Sequence, residues 1–176
     1  EREPEFAPLE VDGDGLRRIL GPPSDEQDLI ATYRNAYHHG TDDMHPCYLP
    51  NGDIAFVSTR CQTSTLCDGS DAFTTTNLYR MDREGGGLTR LTHSALSEAT
   101  PTLMPDGRIL YTRWEYVDKG ALRGKCLWTV RLDGTGSVEV YGNNLRLPPT
   151  LTQGRVVPDQ PNLVLALGTP HYPQNA

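Results

Sequence analysis

Three histidines and two aspartates crowd the nine residues Tyr37-His38-His39-Gly40-Thr41-Asp42-Asp43-Met44-His45. Imidazole and carboxylate are ligands that divalent metals take, so His38, His39, His45 and Asp42 form a candidate metal site. The same run also reads as a solvated polar loop whose aspartates cap turns. Cys61 and Cys67 flank the polar segment Gln62 to Leu66, and they either close a small disulfide loop or stand as two reduced thiols. Cys47 and Cys126 have no Cys or His at zinc-finger spacing. No cysteine opens a Cys-x-x-Cys-His run, so nothing in this chain attaches a c-type haem. Ser58, Ser94 and Ser97 sit in no Gly-x-Ser-x-Gly elbow. Glu84-Gly85-Gly86-Gly87 lacks the Lys-Ser/Thr of a phosphate loop. His93 and His171 stand singly. No catalytic and no cofactor-binding residue emerges from these motifs.

The elements that must position these groups repeat. Pro46-Cys47-Tyr48-Leu49-Pro50-Asn51-Gly52-Asp53-Ile54 returns 55 residues on as Pro101-Thr102-Leu103-Met104-Pro105-Asp106-Gly107-Arg108-Ile109. A degenerate third copy, Val156-Val157-Pro158-Asp159 and then Leu163 to Leu167, follows after 53 more. A second module interleaves: Asn77-Leu78-Tyr79-Arg80-Met81 through Gly85 matches Cys126-Leu127-Trp128-Thr129-Val130 through Gly134, 49 residues apart. Val11-Asp12-Gly13-Asp14-Gly15-Leu16-Arg17-Arg18-Ile19-Leu20 is an earlier copy of its end. Pro-Asn-Gly and Pro-Asp-Gly are turn tripeptides in which Pro presets φ and Gly takes φ > 0. Gly52 and Gly107, with Gly85 and Gly134, are therefore predicted to hold turn conformations. Ile54 to Ser58 and Ile109 to Thr112 read as strands, and the Asp-Gly segments as hairpin turns. Arg60 and Arg113 recur at one position of the repeat and are predicted to pair with a hairpin acid, Asp82 or Asp133. A single helical turn fits between Asp25 and Ala36.

Each unit thus reads strand, turn, strand, loop, strand, hairpin, strand. Four antiparallel strands in about 50 residues describe a propeller blade. The fold class predicted is all-β, a partial propeller of four-stranded antiparallel blades. Residues 1–22 are read as the last hairpin of a preceding blade, 23–92 and 93–142 as blades, the first with an N-terminal loop insertion, and 143–176 as the first half of another. Propellers close with about 4–8 blades, which predicts that further blades come from the same polypeptide or from other subunits. The chain opens on Glu1 with no apolar leader beside it, the mark expected of a processed product or a piece of a longer one. The net charge of −7 and the lack of any run of Lys and Arg argue against a nucleic-acid partner. The longest apolar run, Leu163 to Leu167, falls far short of the about 18 residues of a membrane-spanning helix.

The phrases Asn51 to Cys61, Asn77 to Asp82, Leu88-Thr89-Arg90-Leu91-Thr92 and Pro105 to Asp118 resemble TolB-like, WD40-like propeller repeats. Tyr111-Thr112-Arg113-Trp114-Glu115-Tyr116, Leu127-Trp128-Thr129, Asp133-Gly134-Thr135-Gly136 and Tyr141-Gly142-Asn143 narrow the likeness to the family of the hydrazine synthase alpha subunit. The resemblance covers roughly residues 9 to 170. It implies a periplasmic or otherwise extracytoplasmic propeller, in some members joined to c-type haem domains that do redox chemistry on small nitrogen compounds. Any haem would lie outside these residues. The reading that follows is a scaffold module making protein–protein contacts in a larger assembly. The alternative is part of a hydrazine-synthase-like haem redox enzyme, and a propeller gate on a peptidase is weaker still.

Overall fold

A computed structural model describes residues 18–31, 40–65, 74–115, 124–145 and 147–170. Among these residues a five-residue helix, α1 (Glu26–Ile30), precedes ten strands. These are β1 (Asp43–Tyr48), β2 (Ile54–Ser58), β3 (Asn77–Met81), β4 (Thr89–Arg90), β5 (Glu98–Leu103), β6 (Ile109–Trp114), β7 (Lys125–Val130), β8 (Val138–Tyr141), β9 (Thr150–Val157) and β10 (Gln160–Thr169). The fold is all-β with antiparallel pairing, as the turn spacing predicted, and α1 is the one helical turn the sequence allowed.

β1 to β4 form a four-stranded antiparallel meander in chain order. β5 to β8 repeat it strand for strand, and β9 and β10 repeat its first hairpin. One parallel pair, Lys125 with Thr150, joins β9 to β7. The turns match bond by bond. Leu49 N–H donates to Asp53 O and Gly52 N–H to Leu49 O, and the same bonds recur 55 residues later from Met104 to Arg108 and from Gly107 to Met104. Asp82 and Gly86 are bonded as Arg131 and Thr135 are, 49 residues on. Gly52, Gly85, Gly107 and Gly134 all take positive φ, 83° to 90°, where a Cβ is unwelcome.

Strand alternation gives each unit two apolar faces. Ala55, Val57 and Leu78 of the first unit close on Ile109, Tyr111 and Val130 of the second, with Leu49 and Leu91 completing this cluster. Leu110 and Leu127, on the second unit's other face, close on Leu151, Val164 and Ala166 of the third. The first unit's opposite face, Phe56, Tyr79 and Met81, is covered by Ile19 and Leu20. The units therefore stack in one direction with the same faces meeting each time. A Cβ added at Gly134 would lie 2.8 Å from the Leu91 carbonyl oxygen, and one added at Gly85 would overlap the Ile19 carbonyl oxygen. Gly-Leu-Thr-Arg-Leu91 and Gly-Leu-Arg-Arg-Ile19 are the matching sequences, so residues 18–20 lie against the first unit as 90–92 lie against the second.

The repeated arginines find other partners than those predicted. Arg60 Nε and Nη2 reach Asp43 Oδ1 and Oδ2 at 2.9 and 2.5 Å, a bidentate pair from the turn after β2 to the start of β1. Arg113 pairs with Glu115 at 2.5 Å and lies 4.5 Å above the Trp128 ring. Register excludes the hairpin acids. Ser58 is opposite Asn77 and Ile54 opposite Met81, so Arg60 and Asp82 lie beyond opposite ends of a five-residue ladder that is itself about 13 Å long at 3.3 Å per residue. Asp82 instead accepts the Glu84 and Gly86 N–H groups, both at 2.8 Å, and Asp133 the N–H and hydroxyl of Thr135. Both are turn caps.

Candidate functional site

The first strands of the three units, β1, β5 and β9, lie side by side, and a cleft of about 550 Å³ opens where they converge. Each of these strands carries one residue more than its partner: between Met44 and Cys47, between Ala99 and Thr102, and opposite the Leu165–Leu167 step of β10. The extra residue lets a side chain be re-aimed out of the pleat. Within each bulge one non-glycine residue takes a left-handed conformation: His45 (φ 53°), Thr100 (φ 52°) and Gln153 (φ 53°). Their spacing, 55 and then 53 residues, is that of the repeat. Such backbone costs about 1 kcal/mol or more per residue, and here it recurs three times facing one cleft.

The bulges are tied to one another across the units. Thr100 N–H donates to His45 Nδ1 at 3.4 Å, and Gln153 N–H donates to Thr100 Oγ1 at 3.2 Å. Thr100 Oγ1 also meets the hydroxyls of Thr112 and Thr152, at 3.2 and 3.4 Å. Trp114 and Lys125 form another wall, with the ammonium 5.1 Å from the ring centroid. The cleft thus offers hydroxyls, an imidazole, an indole and one ammonium, a lining suited to holding a small polar molecule.

Glu98 lies beside the cleft, 1% exposed. Its Oε2 accepts the Leu78 N–H at 3.1 Å and the Thr92 hydroxyl, while Oε1 is buried without a hydrogen-bond partner among the described residues. Burial pushes its pKa up to about 7, against the Thr92 hydrogen bond and the Arg113 charge. The physical cause is that a carboxylate loses its hydration and regains only part of it from two donors.

Of the candidate metal ligands, His45 is in the cleft, bonded to Thr100, and Asp42 is exposed just before β1. His38 and His39 lie outside the described residues. Among the described residues no three of His, Cys, Asp and Glu are grouped to hold a metal. Cys61 Sγ donates to the Thr75 carbonyl at 3.2 Å, and Cys67 lies outside the described residues. Sequence reasoning missed the bulges, although one signal was present: His45 and Thr100 each stand immediately before the first proline of the repeat. Glu98 carried no motif at all. No helix among the described residues is long and apolar enough to cross a membrane. No family model matches the chain, and no curated protein matches it.

Proposed function

We propose that the chain is a run of blades of a TolB-like, WD40-like β-propeller, working as a scaffold that makes protein–protein contacts in an extracytoplasmic assembly. The observation that carries this is the identical stacking of successive units, in which the Gly85–Ile19 approach repeats as Gly134–Leu91. Units that bury the same faces against each neighbour form an array by translation or rotation, and arrays of antiparallel meanders present their loops and channel to partners. Location and family rest on the resemblance of the repeat phrases. Native mass spectrometry of the product from its own cells tests the reading: a hetero-oligomer of fixed stoichiometry is expected, and a lone monomer overturns it.

A second reading is favoured by the cleft of about 550 Å³. In it, the segment shapes a small-molecule site of a hydrazine-synthase-like enzyme whose c-type haem is bound elsewhere. The visible spectrum of the same product separates the two, since a haem band belongs only to the second.

A further inference from the structure

The geometry points to the cleft between β1, β5 and β9 as a binding site for a neutral, polyhydroxylated molecule the size of one sugar ring. This rests on reading the cleft as a small-molecule site, and not on any haem. Its floor is the middle strand of three, β5, with β1 on one side and β9 on the other. The site is therefore built from the described units themselves.

Charge and composition choose the class of ligand. Among the described residues that line the cleft, Lys125 and Glu98 are the only Lys, Arg, Asp or Glu. One charge of each sign leaves no single-sign field to select an anion or a cation. The Lys125 ammonium is also held 5.1 Å from the centroid of the Trp114 ring. Seven of the sixteen lining residues are serine or threonine, and each hydroxyl is both donor and acceptor. Every hydroxyl of a sugar has the same double character. Trp114 adds a flat apolar surface on which the C–H face of such a ring can pack. The volume of about 550 Å³ falls within the roughly 300–1,000 Å³ of ordinary small-molecule sites.

The hydroxyls on the floor have a direction. Thr112 Oγ1 donates to the Leu151 carbonyl at 3.0 Å. The 3.2 Å contact between Thr100 and Thr112 is then donated by Thr100, and the 3.4 Å contact between Thr100 and Thr152 by Thr152. Thr100 Oγ1 uses its two lone pairs on Thr152 and on the Gln153 N–H. The chain of hydroxyls thus ends at Thr152 on an acceptor, which takes a hydrogen bond from the ligand. Two buried atoms nearby have no hydrogen-bond partner among the described residues: Glu98 Oε1 and Thr150 Oγ1, in residues 1% and 3% exposed. Both residues line the cleft. Polar groups left unpaired in this way cost stability, and a ligand that brings donors and acceptors together answers a carboxyl oxygen and a hydroxyl at once. The backbone agrees. His45, Thr100 and Gln153 hold left-handed φ at the same place in three successive units, strain of the kind that collects at ligand sites. Because the floor is tied before a ligand arrives, less ordering remains to be done on binding.

The test is saturation-transfer NMR on the 176-residue chain, with methyl α-glucopyranoside and myo-inositol as neutral probes and phosphate and ethanolamine as charged ones. A saturable signal in the millimolar range is expected from a neutral probe, with both charged probes at least tenfold weaker. Thr152→Val removes the terminal acceptor at nearly constant shape and should weaken the neutral probe at least tenfold. Hydrogen exchange of the unaltered chain needs no variant: the saturating neutral probe should slow exchange most at 97–100 and 150–153. Any one of four results overturns the proposal: no saturable neutral probe, tighter binding of a charged probe, equal binding by Thr152→Val, or protection centred elsewhere. The haem band bears on the enzyme reading alone, so the two failures are separable.

Discussion

At the residue scale, Glu98 is the group among the described residues whose chemistry departs furthest from its ordinary behaviour. Its pKa is about 7 in the folded chain against 4.5 for an ordinary glutamate. The folded state therefore binds the proton more tightly across that window, and stability falls as pH rises from about 4.5 to 7, then levels off. The loss amounts to on the order of 3 kcal/mol. Glu98→Gln keeps an oxygen for the Leu78 N–H and the Thr92 hydroxyl and puts an uncharged NH₂ where Oε1 stands. Urea melts at pH 5 and pH 8 should differ for the native chain and nearly coincide for the variant; equal slopes would refute the assignment. Asp106 and Asp133, held low by Arg108 and by the Thr135 N–H respectively, titrate below this window and do not blur it. Arg60 and Arg113 teach a separate lesson. Their recurrence was legible in the sequence, but their partners were set by register.

At the element scale, the turns and faces carry separable costs. Gly107 has φ +85° and open space where a Cβ would stand, whereas Gly134 has φ +83° and the Leu91 carbonyl 2.8 Å from that point. Gly107→Ala should cost about 1 kcal/mol from backbone strain alone. Gly134→Ala should cost clearly more, since it also pushes one unit off the next; chemical denaturation of the two variants side by side checks the order. The faces give a second comparison. Leu110→Ala removes a side chain buried between units and should cost about 2–5 kcal/mol. Leu163→Ala, at the corresponding place on β10, should shift stability by no more than about 0.5 kcal/mol. Equal losses would mean that β10 is already covered in the isolated chain.

At the scale of the whole molecule, the apolar row of β10 decides behaviour in solution. Burial contributes roughly 25 cal/mol per Å² of apolar surface, and net stabilities are only about 5–15 kcal/mol, so a leucine row left in water is a substantial fraction lost. The 176-residue chain on its own should self-associate with rising concentration and melt broadly, and the pair of changes Leu163→Lys and Leu165→Lys should suppress the association. Sedimentation with thermal melting checks this. A strictly monomeric species with one sharp transition would mean that the units do not need a further neighbour.

The sequence by itself determined the strands, their order and the turns. Those depend on local chemistry: prolines that preset φ, glycines at positive φ, and apolar residues alternating in register with the pleat, all repeated at 55 and 49 residues. Asp25 to Ala36 was legible as room for one helical turn, and α1 falls at its start. What only the tertiary structure decided are the relations between units. His45, Thr100 and Gln153 meet because three bulged strands lie side by side, and a bulge leaves no mark in hydrophobic period. Glu98 is perturbed because the units packed around it bury its carboxyl from water, which outweighs the hydrogen bonds from Thr92 and from Leu78, 20 residues away. Arg60 chose Asp43 over Asp82 because a ladder holds its two ends apart. The reason is common to all three: pairing and burial join residues 17 to 55 positions apart, and no local rule of turn or strand reaches that far.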